Sequence, residues 1–350
     1  MRILITGAAG LIGGEVAARL AMRGHAVTAL VHRRHAVVGN DRCVVMSQAG
    51  DGGAPGPGEV VTLVGDVRLP GLGLAAVPDV DLVVHAAAIT AFDAPAADYR
   101  SVNVDGTAHV AALGLPMLHV STAYVCGTRG GRIGENDTGT DFVNGYEASK
   151  AAGEAIVRAA MARGLPAAVA RPSIVVGDSA TGAIRDFDNI YMVFRLIAER
   201  RVRTLPGAPG ASLDLVPIDH VCGGITAMVE DFDRAQGTTL HLVAAAPTPL
   251  ASIGAAIAAV PGLGAPHFVD PDQFMPESLP PTERRYHAAA ASLYVNYLLR
   301  GPVFDTANAR RLVPPCPPTG REWLDTLIGY CLAQGFVTAR RDKASPAISA

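Results

Sequence analysis

Predominantly apolar runs recur along the first half of the chain and are separated by segments with a helical pattern. Residues 2–6, 26–31 and 60–64 are such runs, each of strand length. Residues 16–21 repeat apolar side chains at the spacing of one helix face. The alternation continues to a further strand at 167–170. Strands that alternate with helices predict an α/β fold with a doubly wound parallel sheet.

The pattern changes after Pro172. A helix is predicted around residues 190–200, and the segment 213–221 is expected to return to the first domain. A C-terminal helix is predicted over residues 322–330. The predicted organisation is a first domain over residues 1–172, a mixed region over 173–340 whose smaller substrate lobe takes about 178–212 and 248–300, and a flexible tail over 341–350.

A glycine-rich turn stands between the first strand and the first helix. Gly7, Gly10 and Gly13 have the spacing in which one glycine permits a tight turn, the next admits a phosphate to the backbone, and the third allows close helix packing. The helix N-terminus that follows would face the phosphates. This order favours a dinucleotide site in a Rossmann-like sheet, with Leu11 and Ile12 among its residues, over a glycine-rich turn without a ligand.

Basic side chains follow the second strand, where many dinucleotide sites have an acid. A carboxylate there would bind the ribose 2′-hydroxyl and repel a 2′-phosphate, whereas a guanidinium accepts that phosphate. His32, Arg33 and Arg34 therefore favour NADP over NAD, with a solvated basic loop as the alternative. After the strand 60–64, Asp66 is expected to accept a hydrogen bond from the adenine amino group, and Val67 to pack on the adenine ring.

A tyrosine and a lysine stand four residues apart in the segment 144–150. On a helix, Tyr146 and Lys150 share one face, which holds a phenol beside an ammonium. The neighbouring cation is expected to lower the pKa of the phenol from about 10 toward neutrality. Tyr146 then becomes usable as a proton donor or acceptor. The same spacing occurs on many solvated helices, so this interpretation depends on the other motifs.

Several motifs occur together in one order over residues 1 to about 180. They are Gly7-x-x-Gly10-x-x-Gly13, Asp66-Val67, His85-Ala86-Ala87-Ala88, Asn103-Val104-Asp105-Gly106-Thr107, Ser121-Thr122-Ala123-Tyr124, Tyr146-x-x-x-Lys150 and Arg171-Pro172-Ser173. On these motifs the chain resembles the extended short-chain dehydrogenases/reductases. In the segments 65–74, 120–125 and 177–182 it looks most like the branch that reduces acyl thioesters and fatty acyl groups.

The resemblance implies a role for each matching residue. Tyr146 would be the general acid or base, and Lys150 would modulate its pKa and bind the nicotinamide ribose. Thr122, with Ser121 as the alternative, would orient the substrate carbonyl. The remaining implied cofactor contacts are Ala86 and Ala87 at the dinucleotide backbone, and Pro172 and Ser173 against the nicotinamide.

Composition narrows the class of protein. With 350 residues, of which 49% are hydrophobic, the chain can bury a large core. A net charge of −3 gives no basic surface for nucleic acid. The five cysteines are scattered and form no Cys-x-x-Cys, which favours neither a disulfide framework nor a metal site. The first strand begins at residue 2 and no apolar stretch reaches about 18 residues, so we expect a cytoplasmic protein without a membrane segment.

The leading hypothesis is an NADPH-dependent reductase in which Tyr146 donates a proton and Thr122 binds the developing oxyanion. The expected substrate is a small-molecule or carrier-bound acyl thioester, the derived aldehyde, or a ketone. An NAD-dependent nucleotide-sugar epimerase or dehydratase is the first alternative, disfavoured by the missing acid after residue 31. A noncatalytic NADP-binding regulator is the second, disfavoured because Thr122, Tyr146 and Lys150 are all present.

Two segments depart from the family pattern. Residues 50–58 are too rich in glycine and proline for the expected helix, and predict a mobile loop beside the adenosine site. After Thr107 there is room for only about two helical turns before the strand at Met117, where the family has a longer helix at its dimer interface. The sequence therefore leaves monomer and homodimer both open.

Overall fold

Among the described residues, eight parallel strands form the central sheet. The computed structural model describes residues 1–45, 47–49, 54–208 and 210–339. Helices cover both faces of a parallel sheet, and its strands are therefore mostly apolar. The strands are β1 (Arg2–Thr6), β2 (Ala26–Val31), β3 (Ser47–Ala49), β4 (Val60–Val64), β5 (Leu82–His85), β6 (Met117–Val120), β7 (Gly131–Ile133), β8 (Ala167–Pro172), β9 (Ile174–Val176), β10 (Thr204–Pro206), β11 (Ser212–Leu213), β12 (Leu215–Pro217), β13 (Thr239–Leu242), β14 (Thr248–Pro249), β15 (His267–Val269) and β16 (Pro302–Phe304).

The order of strands across the central sheet is β13-β8-β6-β5-β1-β2-β4-β3. At its centre β1 pairs with β2 on one side and β5 on the other, so that Ile3 lies between Val27 and Leu82. The chain therefore changes direction across the sheet at β1. In open α/β sheets the crevice beyond the carboxyl ends of the strands at such a point is the usual ligand site. The predicted Rossmann-like, doubly wound sheet is confirmed.

The helices connect the strands and build the C-terminal lobe. Their bounds are α1 (Leu11–Met22), α2 (Ala96–Asp98), α3 (Gly106–Ala111), α4 (Gly145–Ala162), α5 (Ile190–Ala198), α6 (Ile218–Glu230), α7 (Phe232–Ala235), α8 (Leu250–Ala258), α9 (Pro281–Tyr286), α10 (Ser292–Leu298), α11 (Ala309–Leu312) and α12 (Arg321–Ala333).

Separate apolar cores hold the sheet and the lobe. On one face of the sheet, Val16 and Leu20 of α1 pack in the same buried cluster as Val221 and Ile225 of α6. A second cluster joins α5, α8, α10 and α12 in the lobe. The segment predicted to return to the first domain does so, because α6 packs beside α1 and β13 then joins the edge of the sheet.

The segments that depart from the family pattern are a predicted loop before β4 and a short helix before β6. Residues 32–45 contain no helix, as expected, but residues 50–53 of the predicted loop and the predicted tail over 341–350 lie outside the described residues. The short helix α3 is preceded directly by α2 and a π-helical turn over Tyr99–Asp105, so helical backbone extends from residue 96 to 111. None of the described helices is long and apolar enough to cross a membrane.

Candidate active site

The glycine turn has the backbone that the sequence predicts. Gly7 has a φ of +72°, and a Cβ atom there would lie 2.5 Å from the backbone nitrogen of Ala87. A Cβ on Gly13 would lie 2.3 Å from the Gly7 carbonyl oxygen. Gly10 directly precedes α1 and leaves its N-terminus without a side-chain cap. The turn therefore tolerates only glycine at two positions and presents free amide groups to a phosphate.

Two adjoining clefts follow the carboxyl ends of the strands. The first has a volume of about 440 Å³ and contains Leu30, Val31, Gly65 and Val67 in its wall. The second has a volume of about 320 Å³ and reaches Tyr146. The residues that line both are Gly7, Gly10, Arg34, Ala86 and Ala88. Because they share this wall, the clefts form one elongated site with the size and position of a dinucleotide site.

The basic residues after β2 lie at the first cleft. His32, Arg33 and Arg34 all line it. Within the described part of the chain, neither arginine pairs with a carboxylate, so both guanidinium groups are available to an anion. The loop over residues 50–58 was expected beside this cleft. None of its described residues, 54–58, lines the cleft, and the amide of Gly58 donates to the carbonyl of His25.

Asp66 is placed at the first cleft as predicted, but its carboxylate already has a partner. Arg68 donates to both carboxylate oxygens, at 2.6 and 2.9 Å, and this contact lowers the pKa of Asp66 to about 2. Arg68 also lies 3.2 Å from Nε2 of His32. An adenine amino group would therefore compete with Arg68 for Asp66. The pairing also brings a third arginine, which the sequence analysis missed, to the first cleft.

Tyr146 lies in the second cleft, in contact with Thr122. Both line the cleft together with Ser121, Pro172 and Ser173. The side chain of Asn144 caps the start of α4 by accepting from the backbone amide two residues after Gly145, at 2.9 Å. Because α4 begins at Gly145, the phenol stands in its first turn, at the cleft. The structure thus brings together the residues that the resemblance assigned to the reaction centre.

The pKa of Tyr146 differs from the sequence prediction. Burial raises it to about 12, while contact with the Thr122 hydroxyl acts in the opposite direction. Lys150 does not offset this shift, because its ammonium donates to the Val120 carbonyl at 2.6 Å. The prediction that Lys150 lowers the pKa of Tyr146 toward neutrality was wrong. Tyr146 is accordingly a protonated acid at neutral pH.

Lys150 is buried beneath the second cleft. Burial lowers the pKa of its ammonium to about 8, and Glu154 partly opposes that shift. His85 and His119 lie near the ammonium, and burial with the neighbouring charge lowers the pKa of His85 to about 3. The His119 pKa is also lowered by burial, so both imidazoles are neutral. Lys150 is therefore the cationic group of this buried cluster.

The two candidate hydroxyl groups differ in their partners. Thr122 Oγ1 donates to the Pro172 carbonyl at 3.3 Å and accepts from the backbone amide of Tyr124 at 3.3 Å. Ser121 Oγ is buried and contacts the Glu154 carboxylate. Ser173, which also lines this cleft, donates its hydroxyl proton to the buried carboxylate of Asp214 at 2.5 Å. Both hydroxyl groups line the cleft, and Thr122 has the contact with Tyr146.

A buried ion pair connects the start of α4 to the lobe. Glu147 is 0% exposed, and its carboxylate pairs with Arg300 and accepts a hydrogen bond from the Tyr297 hydroxyl at 2.7 Å. Arg300 also donates to the carbonyl of Gly127. Its guanidinium lies over the ring of Tyr297, with 4.6 Å from its carbon to the ring centroid. One lobe residue thus holds both segments that carry the reaction centre.

Aromatic rings from several elements complete the second cleft. Phe92 packs against Tyr146 with 5.8 Å between ring centroids, and stacks on Tyr297 at 5.4 Å. Tyr124 and Tyr191 also line this cleft. Apart from Tyr146, sequence reasoning assigned none of these aromatic residues a role, because they come from separate segments without a common spacing. It also missed Arg300, whose partner Glu147 lies 153 positions away.

Comparison with known proteins gives a match over the part of the chain that contains the site. A family model described as male sterility protein, an NAD-binding family, matches residues 5–225. A linear gramicidin synthase subunit of Brevibacillus parabrevis is 31% identical over 186 residues, which are 47% of this chain and 4% of that protein. L-2-aminoadipate reductase of Schizosaccharomyces pombe is 30% identical over 190 residues, 48% of this chain and 13% of that protein.

A solved structure covers nearly the whole chain. The terminal R domain from the myxalamid PKS-NRPS biosynthetic pathway superimposes with a TM-score of 0.78 and 23% identity, covering 97% of this chain and 92% of that one. The likeness extends beyond residue 225, where the match to the family model ends, and so takes in the rest of the C-terminal lobe. At this identity it establishes the fold of the lobe as well as that of the sheet.

Proposed function

Because the chain belongs to the NAD-binding family described as male sterility protein, within the extended short-chain dehydrogenases/reductases, we propose that it is an NADPH-dependent reductase of acyl thioesters. The predicted family and the short-chain dehydrogenase/reductase type of oxidoreductase are confirmed by that match. The main support for this reaction is that Thr122 and Tyr146 line the same cleft as the glycine turn proposed to bind the cofactor.

The residues present fit a dinucleotide phosphate. The cradle at Gly7 and Gly13 has no room for a Cβ atom, and the free N-terminus of α1 suits a pyrophosphate. Arg33 and Arg34 would hold the 2′-phosphate, while Ala86 and Ala87 would border the dinucleotide backbone. Pro172 and Ser173 would lie against the nicotinamide, and Lys150 would exchange its contact with the Val120 carbonyl for the ribose hydroxyl groups.

The proposed chemistry begins with a thioester carbonyl between Thr122 and Tyr146. When bound, NADPH supplies the hydride that adds to the carbonyl carbon. Thr122 would turn its hydroxyl proton from the Pro172 carbonyl to the oxygen as negative charge develops, and Tyr146 would donate its proton to that oxygen. The resulting hemithioacetal loses its hydroxyl proton, the carbon–sulphur bond breaks, and the thiolate takes up a proton. The products are an aldehyde and a free thiol; an aldehyde or ketone substrate would give an alcohol.

Relatives support a thioester as the substrate. Two of them are described as an aminoadipate reductase and a gramicidin synthase subunit, and one solved structure that superimposes on the chain is a terminal R domain of a biosynthetic pathway. This chain spans only a small part of the length of the two relatives. The acyl group that we propose for the cleft is carried as a thioester of coenzyme A or of a carrier protein.

NADPH should bind about ten- to a hundredfold more tightly than NADH, because loss of one charge-assisted contact costs about 1.5–3 kcal/mol. Arg33→Ser with Arg34→Ser should remove most of this preference and leave NADH affinity unchanged. Arg321→Ser changes an exposed arginine on α12 and is the matched control. Fluorescence titration of both nucleotides tests it, and equal affinity in the wild type would contradict the assignment to NADP.

Purified protein should be largely free of nucleotide and should oxidise one NADPH for each aldehyde formed. A reductase must release oxidised nucleotide in every cycle, whereas an epimerase regenerates its bound NAD. Mass spectrometry of the denatured protein, together with parallel assays of NADPH and aldehyde, measures the balance. Retained NAD and conversion of a nucleotide sugar without net oxidation would instead support the isomerase. NADPH binding without turnover of any carbonyl compound would support the regulator.

A further inference from the structure

A salt bridge at the first cleft lies between the ends of two neighbouring strands. Arg68, which follows β4, donates to both carboxylate oxygens of Asp66, with Nη2 at 2.6 Å from Oδ2 and Nε at 2.9 Å from Oδ1. The same Nη2 atom lies 3.2 Å from Nε2 of His32, which directly follows β2. The end of this second strand is where dinucleotide-binding folds distinguish a ribose 2′-hydroxyl from a 2′-phosphate. The Arg68 guanidinium is therefore within reach of both positions.

The backbone around the pair is fixed, whereas the Arg68 side chain is partly exposed. The Asp66 amide donates to the Leu72 carbonyl at 2.8 Å, and the Asp66 carbonyl accepts from the Leu69 amide at 3.0 Å. The backbone amide of Arg68 also donates to Oδ1 of Asp66 at 3.0 Å. The side chain of Arg68 is 39% exposed, compared with 16% for Asp66. Arg68 can therefore turn away from Asp66 without a change in the backbone of this turn.

The salt bridge places two parts of a dinucleotide in competition. Asp66 is the residue expected to accept from the adenine amino group, but Arg68 already donates to both of its oxygens. A 2′-phosphate offers Arg68 another partner, because a guanidinium binds phosphate in the same bidentate way as it binds carboxylate. A neutral 2′-hydroxyl offers no such partner. A nucleotide with the 2′-phosphate can thus release Asp66 for adenine, and one without it cannot.

We propose that Arg68 adds to the selectivity for NADP by exchanging partners: it leaves Asp66 for the 2′-phosphate, and Asp66 then accepts from the adenine amino group. With NADH, Arg68 stays on Asp66 and competes with adenine. Arg68 therefore strengthens the binding of one nucleotide and weakens that of the other, whereas Arg33 and Arg34 act on NADPH alone. The inference rests on the proposed use of NADP, but it can be tested without turnover.

The first test replaces Arg68 with methionine, which removes the guanidinium and leaves the backbone amide that orients Asp66. NADPH affinity should fall about two- to fivefold, less than for a full charge-assisted contact, because Arg68 gives up Asp66 to make it. NADH affinity should rise about two- to fivefold, the contribution of one freed hydrogen bond. Fluorescence titration measures both affinities, and melting temperatures check that the variant is folded.

Arg100→Met is the matched control for this change. Arg100 is an exposed arginine that pairs with Asp105 at 2.8 Å, and it is outside the described lining of the first cleft. Its replacement should leave the affinities for NADPH and NADH unchanged. A shift of both affinities in Arg100→Met like that in Arg68→Met would trace the effect to net charge and contradict the exchange.

The second test uses nucleotide fragments that carry no nicotinamide. 2′,5′-ADP and 5′-AMP differ only in the 2′-phosphate, and calorimetric titration measures the binding of each. Arg68→Met should weaken binding of 2′,5′-ADP and strengthen binding of 5′-AMP. Purine riboside 5′-monophosphate lacks the adenine amino group, so Arg68→Met should not strengthen its binding. The gain for 5′-AMP should also disappear when Arg68→Met is made in an Asp66→Ala background, because the freed acceptor is then absent.

These results separate the exchange of partners from the proposed reaction. Opposite shifts for 2′,5′-ADP and 5′-AMP, in a protein that reduces no thioester, would support the exchange and overturn the reductase. Reduction of thioesters with NADPH, together with fragment affinities that Arg68→Met leaves unchanged, would overturn the exchange and leave the reductase intact. Weaker binding of 2′,5′-ADP without any gain for 5′-AMP would make Arg68 a phosphate ligand only, and would likewise contradict the exchange.

Discussion

Replacing Tyr146 with phenylalanine should lower kcat by about 10²–10⁴-fold, the usual contribution of a general acid. The ring would keep its contact with Phe92, so the shape of the cleft is preserved and only the proton donor is lost. NADPH affinity should stay nearly unchanged, because the phosphate and ribose contacts that we propose come from other residues. Steady-state rates with a reducible thioester and a fluorescence titration of NADPH measure both quantities.

Lys150→Met provides the contrasting variant. Its ammonium is proposed to bind the nicotinamide ribose, so this change should lower NADPH affinity. The kcat should fall as well, because the nicotinamide would no longer be held at the reaction centre. A Tyr146→Phe enzyme that kept most of its kcat would show that the proton comes from another group. A Lys150→Met enzyme with normal NADPH affinity would restrict the lysine to the reaction itself.

Replacing Arg300 with methionine should destabilise the folded protein by about 3–5 kcal/mol, the range for breaking one side of a buried ion pair. The carboxylate of Glu147 would remain fully buried with the Tyr297 hydroxyl as its remaining partner. Urea denaturation and thermal unfolding measure the loss. Turnover should also fall, because Arg300 holds Gly127 and the start of α4 in place.

Two further variants separate charge from packing. Arg132→Met removes an arginine whose side chain is 80% exposed and which pairs with Asp305 at 3.0 Å, so the melting temperature should barely change. Combining Arg300→Met with Glu147→Gln removes the buried charge itself and should restore part of the lost stability. Equal losses from Arg300→Met and Arg132→Met would mean that burial of the pair contributes little.

Much of the sheet could be predicted because each strand carries its own signal. β1, β2 and β4 are predominantly apolar runs, and each can be recognised without information from distant residues; β1 and β2 are almost wholly buried and β4 is buried in part. The glycine turn is equally local, since Gly7 and Gly13 are fixed by contacts with neighbours in the turn and at the end of β5. A local pattern can therefore define the first cleft and the face of α4 that carries the proposed acid.

The lobe and the electrostatics of the site could not be predicted in this way. Arg300 meets Glu147 only because α10 folds against the start of α4, and no spacing in the sequence records that contact. The pKa of Tyr146 was predicted in the wrong direction because it depends on burial, which the sequence does not give. Tyr146 and Lys150 share one helix face, but this proximity does not lower the pKa of the phenol, because the ammonium donates to the Val120 carbonyl.

The late return of β13 to the sheet has a consequence for synthesis of the chain. Until β13 (Thr239–Leu242) leaves the ribosome, the outer edge of β8 (Ala167–Pro172) has no strand to pair with. Translation at about 5–20 residues per second leaves that edge open for several seconds. An unpaired edge exposes amide and carbonyl groups to other strands. Nascent chains that stall before Thr239 should therefore be the species most prone to associate with one another.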